Sequence, residues 1–153
     1  MSEFYTQGGW EGSKYQETNK TLSLKEIAKK IKDEILFKHP EISVSVKTEH
    51  FANGRAININ VMSYPEPYLQ KMISLSFRSQ YENMEESQIP DWAYDYTYTS
   101  EAKALIDDIQ RIADQYRYDD SDGQIDYFST NFYCTPEFDW TLREVELKRL
   151  GAI

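Results

Sequence analysis

Apolar residues recur at helical spacing between Leu24 and Lys38, with Leu24, Ile27, Ala28, Ile31 and Ile35 on one face. Ser23 and Glu26 form the S-x-x-E pattern of a capping box ahead of that run. His39 and Pro40 stop it, because a residue preceding proline avoids helical torsions. The period then changes to alternation. Ile42, Val44 and Val46 oppose Ser43, Ser45 and Lys47, and after Asn53-Gly54 a second alternating run sets Ile57, Ile59 and Val61 against Asn58, Asn60 and Met62. This predicts a β-hairpin with its turn at Asn53-Gly54.

Beyond Tyr64-Pro65-Glu66-Pro67 the pattern fits two states. Leu69, Met72 and Ile73 suit a helix, whereas Ile73, Leu75 and Phe77 alternate as a strand does, and strand is the preferred reading. Residues 82–90 read as a polar, acidic connection, and Trp92, Tyr94, Tyr96 and Tyr98 then alternate with Ala93, Asp95 and Thr97, which suits one face of a strand or an extended loop. A second helix is predicted from Thr99 or Ser100 to Tyr116, burying Ala102, Leu105, Ile106, Ile109, Ile112, Ala113 and Tyr116. An Asp-Gly turn at Asp122-Gly123 and a strand from Ile125 to Cys134 follow. Asp139 to Leu150 is compatible with a short helix or a last strand. The expected architecture is a single α+β domain over residues 22–153, with a largely antiparallel sheet and two principal helices. Residues 1–21 show no period and read as a flexible tail.

A chain of 153 residues, 40% hydrophobic and 28% charged, is one ordinary domain that needs no disulfide or metal to hold a core. No apolar run reaches the roughly 18 residues of a membrane span. The N-terminus lacks the basic and apolar parts of a secretory signal, and Cys134 is the one cysteine, so the expected compartment is the cytoplasm. Net charge is −9 and unevenly spread: residues 1–64 are near +1 and residues 65–153 near −10. Glu82 to Asp126 alone carries thirteen acids against three bases. Such a field repels phosphate backbones, so no direct nucleic-acid contact is expected, and a basic protein partner is favoured. The lysines Lys25, Lys29, Lys30, Lys32 and Lys38 read first as the solvated face of their helix, and second as a site for an acidic ligand or RNA.

Catalytic and metal chemistry finds little support in the residues. Aligning Gly123 with the glycine of a twelve-residue EF-hand loop puts Tyr118 and Ser129 where the first and last calcium ligands belong, and neither supplies a carboxylate. His39 and His50 sit in no nucleophile or zinc signature, and there is no phosphate-binding glycine loop. The expectation is no catalytic residue, metal or cofactor. Asp122, Asp126 and Cys134 remain the candidates if the chain is an enzyme.

Three segments carry a resemblance: SLKEIAKKIKDEILFKHP, ISVSVKTEHFANGRAININV, and the late YRYDDSDGQIDYFSTNFY with its Ser121-Asp122, Asp126-Tyr127-Phe128 and Asn131-Phe132-Tyr133 cluster. Over residues 22–64 and 100–134 the chain resembles the large polyvalent protein-associated domain, type 29, of phage, plasmid and conjugative-element proteins. Residues 65–98 match nothing in that family, and no catalytic residue carries over. The resemblance implies a mobile-element origin and, together with the charge, an acidic inhibitor of a host defence nuclease of CRISPR-effector or restriction type. The alternative is an accessory interaction module for conjugation or phage replication; self-association stays open. The contact surface is expected at Glu82, Glu85, Glu86, Asp91, Tyr94, Asp95, Tyr96 and Tyr98, on the second helix at Asp107, Asp108 and Asp114, and at the turn acids Asp119, Asp120 and Asp122. The stretch from Glu82 to Tyr98 is the better candidate for specificity.

Overall fold

The computed structural model describes residues 10–18, 21–119 and 130–153. Asp120, Asp122, the Asp122-Gly123 turn and the first half of the strand expected over Ile125–Cys134 lie outside the described residues, and in the second half Thr130 and Tyr133 make isolated bridges in place of a strand. The chain divides into two compact units, Met1–Pro65 with Ile106–Asp139, and Glu66–Leu105 with Trp140–Ile153. Both mix helix and strand, and the class is α+β.

In the first unit, β1 (Trp10–Glu11) and α1 (Tyr15–Thr18) precede the long helix α2 (Leu24–Lys38). The capping box of α2 forms as its sequence requires: Glu26 N–H donates to Ser23 Oγ and Ser23 N–H to Glu26 Oε1, both at 3.2 Å. A cap of this kind stabilises by about 1 kcal/mol. The helix ends where His39 N–H donates to Ile35 O at 2.8 Å. Leu24, Ile27, Ala28, Ile31 and Ile35 are all buried, and α2 packs on the hairpin of β2 (Ser43–Phe51) and β3 (Gly54–Ser63). The turn comes one residue earlier than expected. Ala52 and Asn53 form it, and Gly54 already pairs with Phe51.

The third strand of this sheet, β7 (Glu137–Phe138), lies parallel to β3 and continues a contact that begins where Tyr133 bridges Ala56. Ile31, Ile35, Ile57, Ile59, Val61, Ile109, Ile112 and Phe132 fill the core with at most 1% exposure. Burial of each such side chain stabilises by about 1.5–3 kcal/mol.

Within the segment read as a tail, residues 10–18 take up regular structure. Trp10 and Glu11 pair with β6 (Tyr118–Asp119), while Gly12 N–H donates to Arg117 O and Lys14 N–H to Gln115 O, both at 2.7 Å. Gly12 is required there, because a Cβ would collide with the backbone of Asp114 and Gln115.

The second unit is built on an antiparallel ribbon of β4 (Leu69–Ile73) and β5 (Tyr94–Tyr98). The strand preferred for residues 69–77 holds as far as Ile73. The chain then turns through Leu75–Phe77 into the short helix α3 (Arg78–Tyr81), and two more 3-10 turns, Glu86–Gln88 and Asp91–Ala93, lead into β5. The last segment, compatible with a short helix or a last strand, is helix α5 (Trp140–Arg149). Arg149 fastens it, donating to Leu69 O at 3.1 Å and to Glu146 at 2.6 Å. Helix α4 (Ser100–Asp114) starts in this unit and belongs to the first from Ile106 on; of its expected stripe Ala102, Leu105, Ile109, Ile112, Ala113 and, just past its end, Tyr116 are buried, whereas Ile106 is half-buried. No helix among the described residues is long and apolar enough to cross a membrane.

Candidate protein-binding surface

Asn131 and Phe132, near the end of the late aromatic segment, take part in a structural lock in the first unit. Asn131 Oδ1 accepts from the N–H groups of Tyr118 (3.0 Å) and Phe132 (3.1 Å), and its Nδ2 donates to Tyr116 O at 2.8 Å. Arg55 donates twice to Asn131 O, at 3.0 and 3.1 Å. Arg117 is the buried partner of this cluster, donating to Phe132 O at 2.8 Å and to Asp114 Oδ1 at 2.8 Å. Its guanidinium also lies 5.3 Å from the Trp10 ring centroid. The Tyr-Arg-Tyr and Thr-Asn-Phe-Tyr motifs thus hold the end of α4 to residues 130–133.

The acids of α4 are drawn into the same fabric. Asp108 bonds His39 Nε2 through one oxygen at 2.7 Å, and its other oxygen accepts from Arg111 Nε and Nη2 at 3.0 and 2.7 Å. Asp114 accepts from Arg117 and from Gln110, and Asp119 lies 3.7 Å from Arg117. Asp107 is exposed. Charges already neutralised at this range present less field to a partner than the count of acids suggests.

Burial opposes ionisation of Asp108, but the hydrogen bonds from His39 and Arg111 outweigh it and hold the carboxyl below its ordinary value of 3.8. A lowered folded pKa means that the stability Asp108 contributes is complete above its unfolded value and is lost as pH falls through the folded one. Acid unfolding followed by circular dichroism should therefore show Asp108→Asn with a shallower loss of stability below about pH 4 than wild type.

In the second unit the ribbon sorts its side chains by face. Leu69, Lys71 and Ile73 lie opposite Tyr98, Tyr96 and Tyr94, so the three tyrosines share a face with buried Leu69 and are themselves half-buried. Lys71 Nζ sits 4.1 Å from the Tyr94 ring centroid. Tyr98 packs on Tyr68 at 6.0 Å. The opposite face carries Met72 beside Asp95 and Thr97, which with Ile73, Leu75 and Arg78 line a hollow of about 210 Å³. That is smaller than a usual cofactor site and has room for one large side chain.

Trp92, absent from the expected contact surface, is an exposed ring at its centre. It stands edge-on against Phe77 (5.0 Å) and Tyr81 (5.9 Å), yet 63% of it is exposed, and Leu75 is 78% exposed. Alternation grouped Trp92 with the tyrosines, but the Asp91–Ala93 turn takes it out of the strand. Its flanking acids were the available signal. Glu82, Glu85, Asp91 and Asp95 are exposed and make no ion pair among the described residues, while Glu86 lies 4.0 Å from Lys71. The acids expected at the site therefore divide: Asp108, Asp114 and Asp119 serve the first unit, whereas Glu82, Glu85, Asp91 and Asp95 are open to solvent around an exposed tryptophan.

Cys134 is buried, and burial pushes its thiol up to about 12, so it carries no thiolate at neutral pH. Asp122 and Asp126 lie outside the described residues. Among the described residues, no group of three or more His, Cys, Asp or Glu is placed to hold a metal. Comparison with known proteins finds no matching family model, no matching curated protein and no matching solved structure.

Proposed function

We propose that the chain is a non-enzymatic protein of a mobile genetic element that inhibits a host defence nuclease, of CRISPR-effector or restriction type, by occupying its basic nucleic-acid-binding surface. The observation that supports this reading is the group of four uncommitted carboxylates, Glu82, Glu85, Asp91 and Asp95, on a unit that also exposes Trp92 and Leu75. Carboxylates compete with phosphates for a basic groove and steer the encounter. A large exposed ring beside them supplies the desolvated contact area that dominates binding energy. The mobile-element part of the reading rests on the resemblance of residues 22–64 and 100–134.

The test is a transformation assay in bacteria whose CRISPR or restriction system attacks an incoming plasmid. Expression of the full chain should restore transformation, and the combined Glu82→Lys, Glu85→Lys and Asp91→Lys variant should not. Absence of rescue across representative systems overturns the inhibitor reading. Rescue that survives the charge reversal overturns the assigned surface.

A further inference from the structure

The first unit holds a groove of different character, lined by Lys25, Ala28, Lys29, Lys32, Val46, Lys47 and Thr48, with a volume of about 490 Å³. It runs between α2 and β2. Lys25, Lys29 and Lys32 follow one another at helical spacing and span about 10 Å along the axis. Ala28 and Val46 make the floor apolar. Lys29 is paired with Asp33 at 2.8 Å, while Lys25, Lys32 and Lys47 make no ion pair among the described residues. In a chain of net charge −9, this is a local basic wall.

The other wall is a sheet edge. In the order β2-β3-β7, β2 pairs only with β3 among the described residues, so along its nine residues one side of the backbone has no strand partner. An open edge of that length is a template for another strand. Glu49, the acid on the strand itself, accepts from Asn58 at 3.0 Å.

From these features we infer that the α2–β2 groove binds an extended acidic peptide segment of a partner protein, which adds as a strand to β2 and places carboxylates against Lys25, Lys29 and Lys32. Main-chain pairing supplies affinity in such recognition, and alternate side chains supply selection. Acidic residues facing α2 would meet the lysines. A nucleic-acid strand is the weaker occupant, because no aromatic residue lines the groove for base stacking. The site is independent of the acidic surface of the second unit, which would select basic sequences.

Selection of a random-peptide library on the immobilised full chain tests the inference. The expected result is enrichment of acidic peptides with alternating side chains. Their affinity should fall at least tenfold in the Lys25→Glu, Lys32→Glu double variant, about the loss of two charge-assisted contacts. Backbone N-methylation of the selected peptide should abolish binding, and β2 amides should gain hydrogen-exchange protection when the unmodified peptide is bound. No enrichment, or enrichment of basic peptides alone, overturns the proposal. So does binding that survives either the lysine substitutions or N-methylation, or a single-stranded oligonucleotide that outcompetes the selected peptides.

Discussion

Replacing Arg117 by alanine is expected to lower stability by about 3 kcal/mol, or roughly 6–12 °C in Tm for a chain of this size. The magnitude follows from what the guanidinium satisfies at one place. It donates to the buried Phe132 carbonyl and to Asp114, reaches Thr130 Oγ1 at 3.3 Å, and lies over the rings of Trp10 and Phe132. Alanine leaves the carbonyl without that donor and Asp114 without its cation. Asp114 retains some access to water, which keeps the loss near the lower end for a broken buried pair. Lysine keeps the charge but lacks the planar fork, so Arg117→Lys should recover less than half of the loss. Denaturant unfolding measures both. A loss under about 1 kcal/mol in Arg117→Ala would mean that the lock around Asn131 holds without its centre.

Trp92→Ala carries the second large effect, and it falls on binding. Against the effector identified by rescue, affinity should drop by about 2–4 kcal/mol, roughly 30- to 1000-fold. The ring is mostly exposed and meets Phe77 and Tyr81 in T-shaped contacts, so stability should change far less than binding. Leu75→Ala should weaken binding by a smaller amount, because an aliphatic side chain offers less contact area. Calorimetric titration of each variant against the purified effector gives these values. Affinity unchanged within about twofold in Trp92→Ala would remove the ring from the interface.

Long elements announce themselves through repeated local choices. Ser23 with Glu26, followed by five apolar residues at helical spacing, marks α2 because each turn repeats the signal; the same holds for α4 and for the alternation of β2 and β3. The two-residue strands β1, β6 and β7 have no period to detect. Trp10 and Glu11 read as tail because what fixes them is Arg117 and the end of α4, more than a hundred positions later. The parallel run of residues 133–139 along β3 is likewise a tertiary choice. Charge shows the same limit. Counting acids finds an acidic surface, but not that Asp108 meets His39, 69 positions away, while Asp91 and Asp95 make no ion pair among the described residues. Trp92 stayed hidden because its alternation with Tyr94 mimics one strand face, and only the turn at Asp91–Ala93 parts them.

The proposed function places the binding surface at the open acids of the second unit, and not at the acids of α4. Affinity for the effector, measured across a range of salt, tests it most directly by comparing two sets of charge reversals. Glu82→Lys with Asp91→Lys is expected to weaken binding by at least tenfold and to flatten its salt dependence, while Asp107→Lys on α4 leaves both near wild type. Equal losses from the two sets, or a loss confined to Asp107→Lys, would contradict the account.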